Sequence, residues 1–455
     1  MKTLSRTTLG ELLRLSLPMM VSQGAFAVMV FTDRLFMSYL DATHIAATLG
    51  GGVAAFLCFS LFIGLITYGN ALVAQYYGAG QFAKCPLVAT QGALIALCST
   101  PLLLITAYYG GSAFELIGHD PAQVRLERTY FTILMAGSVF TLLKSVLASY
   151  FSGIGRTRVV MVADLLATGL NIPLSWMLIF GKFGFPAMGI AGAAWGTIIA
   201  TVFAIGVFLL FYLSGDHQRQ FYVGKSLRFD RGIMRRYLRL GMPSGLETLM
   251  NVSSFSLFLL LFQSYGVVQG AAMAIVFNWD MFSFIPMMGL NIGVMSLIGR
   301  FVGAGDIRRA DQVISSGFLV ALGYSGVLAI LFLIFRDSLV NVFDTQEPNF
   351  AAISELAGHM MIGLVTYMLA DAVILISGGA LRGAGDTRWL MVTSISVHWL
   401  MLVAQYCVIV VFGYGPRVSW WVFVAMLIIL ALLYLGRLFG GTWRRPERLA
   451  RVMLE

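Results

Sequence analysis

Stretches of roughly 20 mostly apolar residues, the length a helix needs to cross the hydrocarbon core of a bilayer, recur along this whole 455-residue chain with only short polar interruptions. About twelve can be counted. Charged residues are 11% of the chain and hydrophobic ones 59%, whereas a soluble globular domain carries roughly a quarter charged residues. Water is therefore not the main solvent, and the expected fold class is an all-α integral membrane protein of twelve transmembrane helices. The first apolar stretch begins near Leu15, holds Asp33 and Arg34 and lacks a small-residue cleavage pattern, so it is expected to be retained as a span.

Most of the 30 Lys and Arg fall in alternate loops, on the side shared with both termini, which places the termini in the cytoplasm by the positive-inside bias. The net charge of +9 is then a topology signal with some attraction to anionic lipid. Nucleic acid is excluded as a partner because no single basic patch forms. The longest basic segment runs from Arg219 to Arg239, and sequence on either side of it repeats. Arg14-Leu-Ser-Leu-Pro18 matches Arg239-Leu-Gly-Met-Pro243, and Gly78-Ala-Gly80 matches Gly303-Ala-Gly305, both at one offset (243 − 18 = 225; 303 − 78 = 225). Gly153-Ile-Gly-Arg-Thr-Arg158 matches Gly383-Ala-Gly-Asp-Thr-Arg388 at 230 (383 − 153). The chain thus divides into an N-lobe of six helices (1–214), a basic linker (215–238) and a C-lobe of six helices with a basic tail (239–455). Six helices per half keep the lobes in one orientation, as a parallel pseudo-twofold repeat requires, and two such bundles suit alternating access.

An ionisable group in hydrocarbon costs a few kcal/mol even on lenient scales, so each one present needs a partner, water or a function. The candidates are Asp33, Arg34, Lys144, Asp164, Glu247, Asp280 and Asp371. No acid recurs in the other half: Asp33 corresponds to Phe258, Glu247 to Ser22 and Asp371 to Thr141, so none is simply a feature of the repeat. Lys144 and Asp164 are about equally far from the turn near Ile154 and are expected to pair. Arg34, near the end of its span, can snorkel to the headgroups. Asp280 is open between cavity lining and a locally bonded acid. Asp33 lies roughly 10 Å and Asp371 about 15 Å from their helix ends by helical rise. Tyr367 is one turn from Asp371, Asn251 belongs at a similar depth and Glu247 is one turn from Asn251, so these four residues are expected to build an oxygen-rich site suited to a cation. A satisfied structural acid is the alternative for each carboxylate. Pro18 shares a helix with Asp33 and is the candidate hinge.

The residues that carry a resemblance are Pro18, Asp33-x-x-x-Met37, Gly78-Ala-Gly80, Asn171, Gly189-Ile-Ala-Gly-Ala-Ala, Pro243, Val302-Gly-Ala-Gly305, and Asp371-Ala with Leu381-Arg-Gly-Ala-Gly-Asp386-Thr. Together they resemble the multidrug and toxic compound extrusion family, abbreviated MATE, over essentially the whole chain, in its NorM-like form. That resemblance implies twelve helices in two lobes and export of organic, often cationic, drugs against a Na⁺ or H⁺ gradient. It carries an N-lobe site over to Asp33, Asn171 and Thr197 and a C-lobe site to Tyr367 and Asp371. The chain departs from the pattern at Ser175, where many members have a second acid, at Asn251, where NorM-like members have Glu, and at Arg34, where Thr is frequent.

The expected function is secondary antiport. A buried carboxylate can be neutralised by a cationic substrate or by H⁺ or Na⁺, and each ligand makes the other redundant. Asp371, Tyr367 and Glu247 are the expected ligands if the ion is Na⁺; no other cofactor is expected. The remaining expectations are small organic cations and lipid as partners, a monomer, and a bacterial inner-membrane location. A flippase for lipid-linked saccharides is the alternative, but its anionic cargo would call for buried basic residues. An integral-membrane enzyme is more remote: there is no nucleotide loop, His44, His119, His217, His359 and His398 are scattered, and Cys58, Cys85, Cys98 and Cys407 lack metal-type spacing.

Overall fold

The computed structural model describes residues 5–112, 114–115, 120–344 and 349–454; His119 lies outside them. Helices follow one another as α1 (Arg6–Ser38), α2 (Ala42–Thr67), α3 (Gly69–Gly78), α4 (Lys84–Gly110), α5 (Pro121–Ala136), α6 (Ser138–Gly153), α7 (Thr157–Phe180), α8 (Ile190–Tyr212) and the short α9 (Gly215–Phe221). The second half continues with α10 (Arg231–Gln263), α11 (Val267–Gly303), α12 (Ile307–Ile334), the short α13 (Arg336–Asn341), α14 (Phe350–Gly383), α15 (Thr387–Tyr406), α16 (Pro416–Phe439) and the short α17 (Pro446–Met453). Eleven helical segments, α2 and α3 together forming one, are long and apolar enough to span a membrane. The bent pair α5 and α6, meeting at 48°, makes a twelfth, in agreement with the sequence. No strand occurs among the described residues.

The repeated Gly-x-Gly motif is a helix stop used four times. The helices α3, α6, α11 and α14 each end on the first glycine. The second glycine is left-handed in every case: Gly80 (φ +72°), Gly155 (+79°), Gly305 (+74°) and Gly385 (+81°). The following amide then reaches back to a carbonyl five residues earlier, as in Arg156 to Phe151 (2.8 Å), Asp306 to Phe301 (2.9 Å) and Asp386 to Leu381 (2.8 Å). That bond closes the last turn, and only glycine adopts the required backbone without strain. The first glycine has a different duty. A Cβ on Gly153 would stand 2.7 Å from the Asn70 carbonyl oxygen, and one on Gly383 would stand 2.6 Å from that of Met295, so these helix ends lie directly on neighbouring backbones.

Two compact units result, and their boundaries fall inside helices instead of at the basic linker. One comprises Met1–Met20, Glu247–Val302 and Asp306–Met453; the other comprises Val21–Leu246, Gly303–Gly305 and Leu454–Glu455. The exchange has a packing cause. In the first unit, α11 presents Gly289 and Gly293, one turn apart, and α1 passes so closely that Cβ atoms there would collide with Met20 and Ser16. In the second, α10 presents Gly241 and Gly245, where Cβ atoms would stand 3.0 Å from the Leu65 carbonyl oxygen and 2.5 Å from that of Leu61 on α2. The offset of 225 relates Ser16 to Gly241 and Met20 to Gly245, so both contacts are the same crossing, with the glycines on opposite partners. Pairs of small residues spaced by four let backbones approach without a hydrophobic driving force, which lipid does not supply.

Within the first unit α14 packs against α12 and α16, and within the second α7 packs along α8. Pro286 deprives the Phe282 carbonyl of its helical donor, and the Tyr324 hydroxyl of α12 donates to it at 2.7 Å. Pro18 lies inside α1 and is buried where that helix meets α11.

Candidate functional site

Asp33 is buried in the second unit, 5% exposed, on α1. Thr197 of α8 donates to its Oδ2 at 3.1 Å, and Ser175 of α7 faces the same carboxylate while accepting from the Asn171 amide at 3.2 Å. Gly196 makes room for this arrangement, since a Cβ there would collide with the Ser175 hydroxyl. Two buried oxygens remain without a hydrogen-bond donor: Asp33 Oδ1 and Asn171 Oδ1. Arg34, next in sequence, is exposed, and among the described residues no Lys or Arg pairs with Asp33.

Helical spacing defines what lies on either side of this acid. Met37, Ile179 and Ala193 are each one turn from Asp33, Ser175 and Thr197, on the side away from the termini, and all are buried in one apolar cluster with Tyr130 and Ala194. On the opposite side, one turn from the site, Met29, Thr168 and Thr201 line a small hollow with Phe26, Ala167 and Ala200. Lys144 and Asp164 border that hollow and form the expected ion pair, with Lys144 Nζ 2.7 Å from Asp164 Oδ1. Ser22 donates a short hydrogen bond to the other oxygen. The Asp33 site is thus backed by apolar residues on one side and has a small hollow of mixed polar and apolar lining one turn away on the other.

In the first unit the sequence expectation is met only in part. Tyr367, 1% exposed, does stand with Asp371 on α14, and its hydroxyl has no hydrogen-bond partner. Glu247 does not join them. It accepts from Arg382 Nη2 at 2.6 Å and from the Tyr434 hydroxyl at 3.4 Å, so its charge is already balanced and it is withdrawn from the cation site. Asn251 turns to α15, where its amide donates to Ser394 at 2.8 Å. The acid that does face Asp371 and Tyr367 is Asp280 of α11. Sequence reasoning recognised it as a mid-span acid but had no means of choosing its neighbour. Trp420 and Phe423 of α16 pack around the Tyr367 ring at 6.1 and 5.6 Å between centroids and hold it in place.

Both sites offer carboxylate, hydroxyl and, in one case, amide oxygens, a donor set suited to a hard cation or a proton. The unpartnered buried oxygens mark where such a ligand would be accommodated. Among the described residues no three His, Cys, Asp or Glu stand together as a metal-binding group.

A helical bundle of two lobes, each with a mid-span acid that no described basic side chain compensates, defines a polytopic membrane protein of the kind that moves charged ligands. The family model described as MatE matches residues 18–177 and 243–407, once in each half. The chain belongs to that family. It is 26% identical over 449 residues to the "Multidrug resistance protein MdtK" of Yersinia pseudotuberculosis, covering 94% of each chain. It is 27% identical over 437 residues to the "Probable multidrug resistance protein NorM" of Shewanella oneidensis, again covering 94% of each. Among solved structures it resembles the eukaryotic MATE transporter AtDTX14, with a TM-score of 0.86, 18% identity and coverage of 98% of this chain and 99% of that one. It also resembles an outward-facing multidrug resistance MATE transporter, with a TM-score of 0.85, 20% identity and coverage of 98% and 97%. At these identities the structural likeness speaks for the two-lobe fold alone.

Proposed function

We propose that this chain is a secondary active antiporter that exports organic, mostly cationic and amphipathic compounds in exchange for Na⁺ or H⁺ by alternating access. It acts as a monomer in a bacterial inner membrane, with both termini in the cytoplasm, and performs no enzymatic step. The single observation that carries this reading is that each unit holds a mid-span carboxylate, the buried Asp33 and the half-buried Asp371, unpaired with any described basic side chain. A lone negative charge there needs a positive ligand, and an organic cation and a small coupling ion both meet that need. Their mutual exclusion yields exchange. Asn171, Ser175 and Thr197 orient the N-lobe carboxylate; Tyr367 does so in the C-lobe. Met29 and Phe26 beside the hollow supply adaptable apolar surface for drugs of varied shape. Pro18, at the close crossing of α1 and α11, is the proposed hinge.

The MdtK and NorM relatives support a drug-exporting reading, and the excess of buried acids over buried bases does not favour an anionic lipid-linked cargo. The test is export of a cationic dye from proteoliposomes under separately imposed Na⁺ and pH gradients. Asp33→Asn and Asp371→Asn should each strongly reduce gradient-driven export. If both leave it unchanged, the exchange mechanism is wrong.

A further inference from the structure

One face of α1 and one face of α7 are matched residue for residue. On α1 it carries Ser22, Phe26, Met29 and Asp33, and on α7 Asp164, Thr168, Asn171 and Ser175, both sets stepping by four, three and four residues along one side of the helix. The two helices run in the same direction and in register: the Ser22 hydroxyl donates a short hydrogen bond to Asp164 Oδ2, and the Thr168 hydroxyl donates to the Ala25 carbonyl at 3.3 Å. Phe26 and Met29 line the hollow from α1, and Asp164, Ala167 and Thr168 line it from α7. Asp33 stands eleven residues (33 − 22) beyond Ser22, about 16 Å by helical rise, where it accepts from Thr197 at 3.1 Å. α1 is therefore tied down at both ends of the hollow. The Asp33 end is the acid proposed above to take a cation; the Ser22 end has no role in the exchange just described. Ser22 is 1% and Asp164 9% exposed, and Lys144 of α6 balances the carboxylate at 2.7 Å.

The other unit repeats this brace with its parts exchanged. The two repeat offsets carry Ser22 to Glu247 (247 − 22 = 225) and Asp164 to Ser394 (394 − 164 = 230), so there the acid sits on the first helix of its half, α10, and the hydroxyl on α15. Glu247 pairs at 2.6 Å with Arg382 of α14, the helix that matches α6, and one turn along α10 Asn251 donates to Ser394 at 2.8 Å. A carboxylate, a hydroxyl and a base thus meet between corresponding helices of each half, although no residue of the set recurs at its own place. Recurrence of the contact without recurrence of its residues points to the contact itself as what each half needs.

We infer that Ser22 and Asp164 are positioning residues for the Asp33 site: with Lys144 they fix the register of α1 on α7, and so hold the Asp33 carboxylate at Thr197 and set the width of the hollow beside it. The two ends of the brace differ in kind. A ligand arriving at Asp33 changes the charge balance there, whereas Asp164 is already neutralised by Lys144 and keeps its bond to Ser22 whatever is bound. If α1 is loosened at Ser22 it populates other registers. Ligand binds only the fraction with Asp33 in place, so apparent affinity falls by that fraction. This inference rests on the antiport reading, and it deepens it by naming what orients the N-lobe acid.

The test uses purified full-length protein with ethidium as the probe. Affinity is read from ethidium fluorescence in detergent, export from proteoliposomes gives KM and kcat, and the melting temperature is recorded in parallel. Ser22→Ala should weaken ethidium affinity about tenfold and raise KM with it, the effect on a two-state equilibrium of losing one charge-assisted hydrogen bond. Ser22→Thr, which keeps the hydroxyl, should stay within about threefold of the wild type. Lys144→Met/Asp164→Leu removes both charges together and should melt near the wild type, yet bind ethidium about tenfold more weakly because Ser22 has lost its acceptor. Affinity and stability then part company, which a purely structural pair would not allow. Ser22→Asp/Asp164→Ser moves the carboxylate to α1, as Glu247 has it on α10, and should bind within about threefold of the wild type, whereas Asp164→Ser alone should lose about tenfold or more. Full affinity in Ser22→Ala and in the apolar double variant, with Asp33→Asn abolishing ethidium binding, overturns the inference and leaves the antiport reading standing. If Asp33→Asn also binds and exports ethidium as the wild type does, both fall. Should the Asp164 variants not fold, the two Ser22 variants decide alone: a loss confined to Ser22→Ala supports the proposal, and equal affinity in both overturns it.

Discussion

Replacing Lys144 by Met is expected to destabilise the protein far more than replacing both members of its ion pair. The Lys144 and Asp164 charges are 2.7 Å apart, with side-chain exposures of 23% and 11%. At an effective dielectric of about 20 the attraction is roughly 6 kcal/mol, most of it offset by the cost of taking both charges out of water. Deleting the lysine removes the attraction and leaves Asp164 with only the Ser22 hydroxyl, in a hollow lined by Phe26, Met29 and Ala167. Such broken pairs cost about 3 to 5 kcal/mol, and partial exposure puts this one near the lower end, about 3 kcal/mol. Asp164→Leu should cost a similar amount. The double variant should recover most of the loss and cost only about 1 kcal/mol, which corresponds to a coupling energy of about 5 kcal/mol. The assay is a double-mutant cycle on denaturant or thermal unfolding in detergent, with dye export measured in parallel. Losses that simply add would show that the two charges do not depend on each other, and the structural reading of this pair would be refuted.

Other outcomes follow from particular contacts. Gly293→Ala drives a methyl into Ser16 and should cost about 1 to 3 kcal/mol of stability, with Ser16→Gly restoring part of it in thermal melts. Asp386 has no exposed surface and pairs with Arg437 at 2.8 Å and, more closely, with Arg448, so Asp386→Asn should free α17 and make the tail a preferred site of limited proteolysis. His217, in the short α9, accepts from Arg156 at 3.0 Å and donates to the Tyr150 hydroxyl at 2.8 Å. Burial first and the Arg156 charge second push its pKa down from 6.5 to about 4. Between pH 4 and 6.5 the unfolded chain therefore binds the extra proton and the folded one does not, so stability should rise with pH across that window. His217→Gln should flatten that part of the melting curve.

Much of this architecture was readable before any coordinates. The twelve spans, the two halves and their repeated loops follow from local properties: apolar length sets a span, and a glycine forced into a left-handed turn ends a helix wherever the motif recurs. The ion pair of Lys144 with Asp164 was legible as well, because the two residues flank one short turn at equal depth. The Asp33 neighbourhood followed partly from family resemblance, which named Asn171 and Thr197. The part played by Ser175 emerged only from its hydrogen bond with Asn171 and its approach to Asp33.

The C-lobe acids show where sequence reasoning stops. Depth along a helix predicted Glu247 and Asn251 beside Asp371, but depth says nothing about which way a side chain faces. Rotation about the helix axis turns Glu247 to Arg382, 135 positions away in the chain, and Asn251 to Ser394, 143 away. It brings Asp280 to Asp371 instead. The same holds for the close crossings at Gly289 and Gly293 and at Gly241 and Gly245, which draw the first half of α1 and of α10 into units that the linear halves do not suggest. Sequence alone decided how many helices cross the membrane, where they stop and at what depth each charge lies, because those depend on residues next to one another. The tertiary structure decided which charges are paired and which have no described basic partner, because that depends on helix rotation and on partners that only packing brings within reach.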